Sequence, residues 1–168
     1  MGTTRRATSK HFDAASATFI DSLRPAAIKI PSGEITNLPF LRAVAALGRF
    51  TIISTGMSDL EEVAAAVAPF ERHRVPIALL HCVSSYPAPP DQIHLRAMET
   101  LRDRFSVPVG YSDHTTGIEV ALAAVVAAAA MGGISNMGGL GGLFLPSGPR
   151  RRDEEKTKFD EERLRLAQ

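Results

Sequence analysis

The sequence predicts an α/β protein built on a parallel sheet, and three observations carry that prediction. First, four short apolar runs recur along the chain, at residues 26–30, 50–53, 77–80 and 107–109. Apolar runs of this kind, separated by helical segments, read as buried parallel strands. Second, their starts lie roughly 25 to 30 residues apart, about one strand-plus-helix unit. Third, each run ends abruptly in polar residues: Pro31-Ser32-Gly33-Glu34, Ser54-Thr55-Gly56, His81-Cys82-Val83-Ser84-Ser85-Tyr86 and Gly110-Tyr111-Ser112-Asp113-His114-Thr115. In parallel α/β folds the carboxyl ends of the strands face a common site. Four polar tips are therefore expected in one place.

The elements follow in order. Residues 1–11 are polar and basic and are expected to be poorly ordered. Ala14, Ala17, Phe19, Ile20 and Leu23 predict a short amphipathic helix over 13–23, packed on the first strand. After that strand Asn37-Leu38-Pro39 marks a turn, and a helix over 40–47 stops at Gly48. Ser58-Asp59-Leu60-Glu61 has capping-box spacing and opens a helix over 59–70. Pro87, Pro89 and Pro90 stiffen the loop after the third strand. A helix over 95–105 places Leu95, Met98, Leu101 and Phe105 on one face. Residues 118–130 form another, almost wholly aliphatic and so expected to be buried. From Met131 the character changes. Residues 131–148 hold more than half of the chain's 13 glycines, and 150–168 are dense in charge. No further strand is expected there. The domain reading is thus an N-terminal segment 1–11, a (β/α) domain 12–130 and a divergent tail 131–168. An eight-stranded barrel needs about 250 residues, so four strands read as a small open sheet or as the middle of a barrel.

Composition excludes several classes. With 19 basic and 18 acidic residues, the net charge of +1 gives no electrostatic reason to expect nucleic acid or an anionic membrane. No apolar run reaches the roughly 18 residues of a membrane-spanning helix, and the start lacks the apolar core of a secretory signal. The single cysteine, Cys82, cannot form an internal disulfide, which fits a reducing cytoplasm.

Taken by type, the strand-tip residues point to an anion site. Lys29 lies inside an apolar strand, where a charge needs a partner; a bridge to Glu34 or a role as a phosphate or carboxylate clamp both fit. Ser32-Gly33 and Ser54-Thr55-Gly56 supply hydroxyls and backbone N–H groups suited to phosphate, and also suit plain turns. His81 reads as a core histidine bonded to backbone. One imidazole, His114, makes a poor metal site alone. No triad, zinc spacing or dinucleotide fingerprint is present. The residue types support an anion-binding site with Glu34 as a candidate acid–base carboxylate.

The combination of motifs is more specific than its parts. Lys29-Ile30-Pro31-Ser32-Gly33-Glu34, Ser54-Thr55-Gly56-Met57, His81-Cys82-Val83-Ser84-Ser85-Tyr86-Pro87 and the stretch from Gly110 to Thr115, in this order and spacing, resemble the sialic acid (N-acetylneuraminate) synthase family. That family includes legionaminate and pseudaminate synthases and spore-coat polysaccharide relatives. The resemblance covers about residues 12–130. It implies (β/α) units of a TIM (β/α)8 barrel, about strands four to seven, in a cytoplasmic transferase of polysaccharide biosynthesis. It implies condensation of phosphoenolpyruvate with an N-acetylhexosamine of the N-acetylmannosamine type, giving a nine-carbon 2-keto sugar acid and phosphate. On that pattern Lys29, Ser32, Ser54, Ser84 and Ser112 resemble the phosphoenolpyruvate-binding set. Glu34 resembles the catalytic, sugar-side carboxylate, Tyr86 the sugar-contacting tyrosine, and His114 one of two histidines holding Mn²⁺ or Mg²⁺. In the family the metal polarises the sugar aldehyde.

The departures are as informative. The second metal histidine belongs to the next strand, where this chain reads Gly132-Gly133-Ile134-Ser135-Asn136-Met137. An antifreeze-like C-terminal domain and the first two strands have no counterpart, and Lys10-His11-Phe12 stands where the family has Thr-Pro-Phe. The expectation is therefore a truncated or frameshifted form that is inactive alone, with metal binding impaired. A non-catalytic anion- or phosphosugar-binding module, or an interaction protein, is the alternative. Open sheet edges also suggest a homo-oligomer.

Overall fold

A computed structural model describes residues 13–131. The expectations for residues 1–11 and for the tail beyond Met131 lie outside the described residues. Four strands, β1 (Ile28–Ile30), β2 (Thr51–Ser54), β3 (Ile77–His81) and β4 (Val109–Tyr111), form one sheet in the order β1-β2-β3-β4. Every neighbouring pair is parallel. Helices α1 (Ala14–Ser22), α2 (Leu38–Ala46), α3 (Leu60–His73), α4 (Ala97–Phe105) and α5 (Glu119–Ala130) precede or follow the strands in strict alternation. The predicted α/β class holds and all four strands are present, β4 lying two residues later than its apolar run at 107–109, so that Gly110 and Tyr111 belong to the strand rather than to its tip.

Strand alternation divides the sheet into two faces. Ile28, Ile30, Ile53, Ile77 and Leu79 join one buried core with Phe40, Leu41 and Val44 of α2 and Val63, Val67 and Phe70 of α3. The other face carries Lys29, Ile52, Ala78, Leu80 and Gly110, all half-buried, in register Lys29–Ile52–Ala78 and Leu80–Gly110. The two faces explain why Lys29 is tolerated in an apolar strand: it stands on the face away from the helix-packed core.

Three local expectations are corrected. The capping box of α3 sits one residue later than its sequence spacing suggests. Asp59, not Ser58, is the N-cap; its carboxylate accepts from the N–H of Glu61 and Glu62, and Glu62 reaches back to the Asp59 N–H. Ser58 is instead buried, with its hydroxyl unpartnered among the described residues. The aliphatic α5 is not buried: Ala124 is its one buried residue, and Ile118, Leu122, Val125 and Val126 are exposed. It packs chiefly on β4, an edge strand with nothing described beyond it. In α1 only Ala17 is buried, while Phe19 and the following Leu23 face outward.

Candidate functional site

The parallel strands deliver their carboxyl-terminal residues to one rim. Lys29 is central in β1, and Ser32 and Glu34 follow in a single 3₁₀ turn, Ser32–Glu34. Ser54 closes β2, Ser84 lies just beyond β3, and Ser112 follows β4 directly. The backbone keeps the tips together: Thr55 N–H donates to Leu80 O at 2.9 Å, and Ser112 N–H to His81 O at 2.9 Å.

Two clusters form on this rim. In the first, the hydroxyls of Ser32 and Ser84 lie 3.2 Å apart, joining the β1 and β3 tips across β2. The Cys82 thiol belongs here too. Burial pushes its pKa up, while the Gly56 backbone, the Lys29 charge, the Ser32 hydroxyl and the Thr55 backbone act against that rise. The rise prevails because desolvation of a thiolate outweighs these partial compensations. Ser54 is buried, and its hydroxyl has no hydrogen-bond partner among the described residues.

The second cluster centres on His114. Its Nδ1 lies 2.6 Å from the Val83 carbonyl. A carbonyl only accepts, so Nδ1 carries a proton, and in the neutral ring Nε2 is the acceptor. Nε2 lies 3.3 Å from the Tyr86 hydroxyl and 3.5 Å from that of Ser112. The Tyr86 and His114 rings stack at 4.3 Å between centroids, tilted by 31°, and Ala88 N–H donates to the His114 carbonyl. Tyr86 is 75% exposed, so the cluster opens to solvent. Ser84 and Tyr86 share one loop and link the two clusters. Glu34 stands beside the first, its carboxylate accepting from Asn37 Nδ2 at 2.8 Å.

The neighbouring polar groups are structural. Asp113 is held below the usual carboxylate range chiefly by the Thr115 N–H, which it caps together with the Thr115 hydroxyl. Burial pushes the Tyr111 phenol up to about 12, with the Asp113 charge adding to it. His81 is a core histidine bonded to backbone, as its position suggested. Its Nε2 donates to the Ile93 carbonyl at 2.6 Å, and burial lowers its pKa.

A divalent metal does not fit the described residues as a complete site. His114 offers one imidazole nitrogen, yet no group of three or more His, Cys, Asp or Glu converges anywhere among them, and a structural or catalytic metal needs several protein ligands. The position of the expected second histidine lies outside the described residues. Sequence reasoning missed the Val83 carbonyl that orients His114, the Asn37 partner of Glu34, and the polar setting of Cys82. Only Asn37 left a side-chain signal, and it resembled turn punctuation.

A parallel β/α sheet with hydroxyls, a lysine and an oriented imidazole at its strand tips places the chain among α/β proteins of TIM-barrel type. Over residues 6–132 the chain matches, and belongs to, the NeuB family. It is 50% identical over 119 residues to N,N'-diacetyllegionaminic acid synthase of Legionella pneumophila, covering 68% of this chain and 33% of that one. To the enzyme of the same name from Campylobacter jejuni it is 47% identical over 117 residues, covering 68% and 35%. Among solved structures it resembles N-acetylneuraminic acid synthetase of Leptospira borgpetersenii, with a TM-score of 0.69 and 30% identity over 94% of this chain and 55% of that one. The chain thus spans about a third of the length of these curated relatives. Among the described residues no helix is long and apolar enough to cross a membrane.

Proposed function

We propose that these residues form the phosphoenolpyruvate-binding part of a sugar acid synthase, one that joins phosphoenolpyruvate to an N-acetylated hexosamine and releases phosphate. The observation that carries this reading is the Ser32–Ser84 hydroxyl pair bridging the β1 and β3 tips, with Lys29 close enough to act on Cys82 beside it. Fixed hydroxyls around a cation suit a phosphate or carboxylate, because they are already ordered when the anion arrives. Ser54 and Ser112 extend the donor set along the rim. Tyr86 and Glu34 are assigned to the sugar side, Glu34 as the proton-transfer carboxylate, and His114 to a Mn²⁺ or Mg²⁺ ion. Where the resemblance implies a second metal histidine, this sequence reads Gly132-Gly133-Ile134-Ser135-Asn136-Met137, so the reading assigns this chain anion binding without turnover.

Calorimetry with phosphoenolpyruvate, with and without Mn²⁺, tests the reading on wild type and Lys29→Ala. Loss of a charged hydrogen-bonding partner should weaken binding roughly 10- to 100-fold. Equal affinity in the two proteins would remove Lys29 from the site. Phosphate release from phosphoenolpyruvate and N-acetylmannosamine should be absent; release at roughly 1 s⁻¹ or more, an ordinary enzyme rate, would show a complete active site in this chain. The exposed apolar residues of α5 beside the β4 edge favour a second, compatible reading, association of copies through the open edges. Sedimentation at increasing concentration tests it, and a monomer throughout would exclude it.

A further inference from the structure

Gly56, just past β2, has no room for a side chain. A Cβ at this position would lie 2.6 Å from Ser84 Oγ, 2.9 Å from Cys82 Sγ and 3.1 Å from the Cys82 carbonyl oxygen. The requirement is one of space. Gly56 is not among the glycines with positive φ, which among the described residues are Gly48 and Gly117. Real Cβ atoms do not approach other heavy atoms to 2.6 Å, so something must move. Turning the Ser84 hydroxyl away would break its 3.2 Å contact with Ser32. The Cys82 carbonyl belongs to the backbone just beyond β3 and can shift only with the strand tip.

We propose that Gly56 is a positioning residue for the strand-tip hydroxyls. Its missing Cβ lets the β3 tip close over the end of β2, and this closure sets Ser84 against Ser32 and seats Cys82 beside Lys29. Neither hydroxyl is held in place by the strand ladder itself. Ser32 lies in a 3₁₀ turn and Ser84 in a loop, so their meeting depends on how closely the β2 and β3 tips approach. This assignment of an anion site to the hydroxyls rests on the function proposed above; the steric role of Gly56 does not.

Cys82 is the chain's only cysteine and is buried, so a thiol reagent reads this one point of the tip without any added label. The experiment measures the rate of Cys82 alkylation by iodoacetamide in the full chain. The proteins are wild type, Ser84→Ala, Gly56→Ala, Gly56→Ala/Ser84→Ala and, as a control, Gly48→Ala, each with and without phosphoenolpyruvate. Overpacking by one methyl at Gly56 should loosen the tip and speed labelling about tenfold or more. The acceleration should shrink in the Ser84→Ala background, where the tightest contact is gone. Gly48→Ala, strained by its positive φ but remote from the tip, should lower the melting temperature without that acceleration. Wild-type rates in Gly56→Ala, or an equal acceleration in both backgrounds, would overturn the assignment. If Gly56→Ala is unfolded by circular dichroism, recovery of the fold in the double variant supports the assignment, and failure to recover it overturns it. Protection of wild-type Cys82 by phosphoenolpyruvate bears on the ligand alone. Faster labelling of Gly56→Ala with no such protection keeps the positioning role and discards the anion reading.

Discussion

The sheet's first three strands and its β4–α5 edge are written in nearly the same apolar residues, and they end in opposite environments. Ile28, Ile30, Ile53 and Leu79 are fully buried between the sheet and α2 and α3. All three residues of β4 remain half-exposed, and four large aliphatic side chains at the start of and along α5 face outward. The difference lies in neighbours. β2 and β3 have a strand on each side, and α3 packs against both α2 and the core. Among the described residues β4 pairs with β3 alone, and α5 rests chiefly on β4. Burial is therefore a property of the assembled layer, and an aliphatic helix is buried only where a second element covers its outer side.

The largest expected effect lies on the buried side of this comparison. Leu79→Ala removes a side chain of zero exposure from the centre of the core. The lost transfer energy and the cavity left behind should together cost about 2–5 kcal/mol. Urea denaturation measures it, and a cost below that range would show that the three-strand core is more yielding than its packing implies.

A smaller effect joins the two regions through His81 of β3, whose register partner is Tyr111 of β4. Burial lowers the His81 pKa from its ordinary 6.5, its Nε2–H is engaged by Ile93, and its Nδ1 is buried without a partner among the described residues. The folded state thus resists a second ring proton that the unfolded chain accepts below about pH 6.5. Stability is fully present above that pH and falls as the pH drops through the depressed folded value. One proton can contribute at most about 1.4 kcal/mol per pH unit. Denaturation midpoints at pH 7 and pH 5 should differ less in His81→Gln than in wild type; parallel pH profiles would place the titrating group elsewhere.

Much of this was legible in the residues. The four strands and the shared rim follow from short apolar runs ending in polar clusters, because a parallel strand needs apolar residues on both faces and its tip needs none. The backbone partners were not legible: the Val83 and Ile93 carbonyls that fix His114 and His81 belong to residues whose side chains say nothing about them. Nor was the closeness of Cys82 to Lys29 and Ser32, which arises from two strand tips far apart in sequence, those of β3 and β1. The capping box shows a finer failure. Ser58 and Asp59 are both good N-caps, followed three residues later by Glu61 and Glu62 respectively, so spacing alone could not choose between them. Removing the true cap, Asp59→Ala, should cost about 1 kcal/mol, whereas Ser58→Ala, which frees no bonded partner, should be neutral or stabilising by thermal denaturation. The reverse order would restore the earlier register.

The smallest effect is the sharpest test of the comparison, because it repeats the first substitution on the other side. Leu122→Ala is the same chemical change as Leu79→Ala, but Leu122 is 59% exposed on the outer face of α5. Truncating it opens no cavity and returns little apolar surface to water. Alanine and leucine are both strong helix formers, so the helix itself changes by only a few tenths of a kcal/mol. The net change should stay within about 0.5 kcal/mol, the usual range for surface positions. Measured in urea beside Leu79→Ala, it isolates burial from residue type. A cost of 2 kcal/mol or more would mean that the outer face of α5 is covered in solution. In that event the covering element could be found by asking whether the cost depends on protein concentration: a second copy makes it concentration-dependent, and another part of the same chain does not.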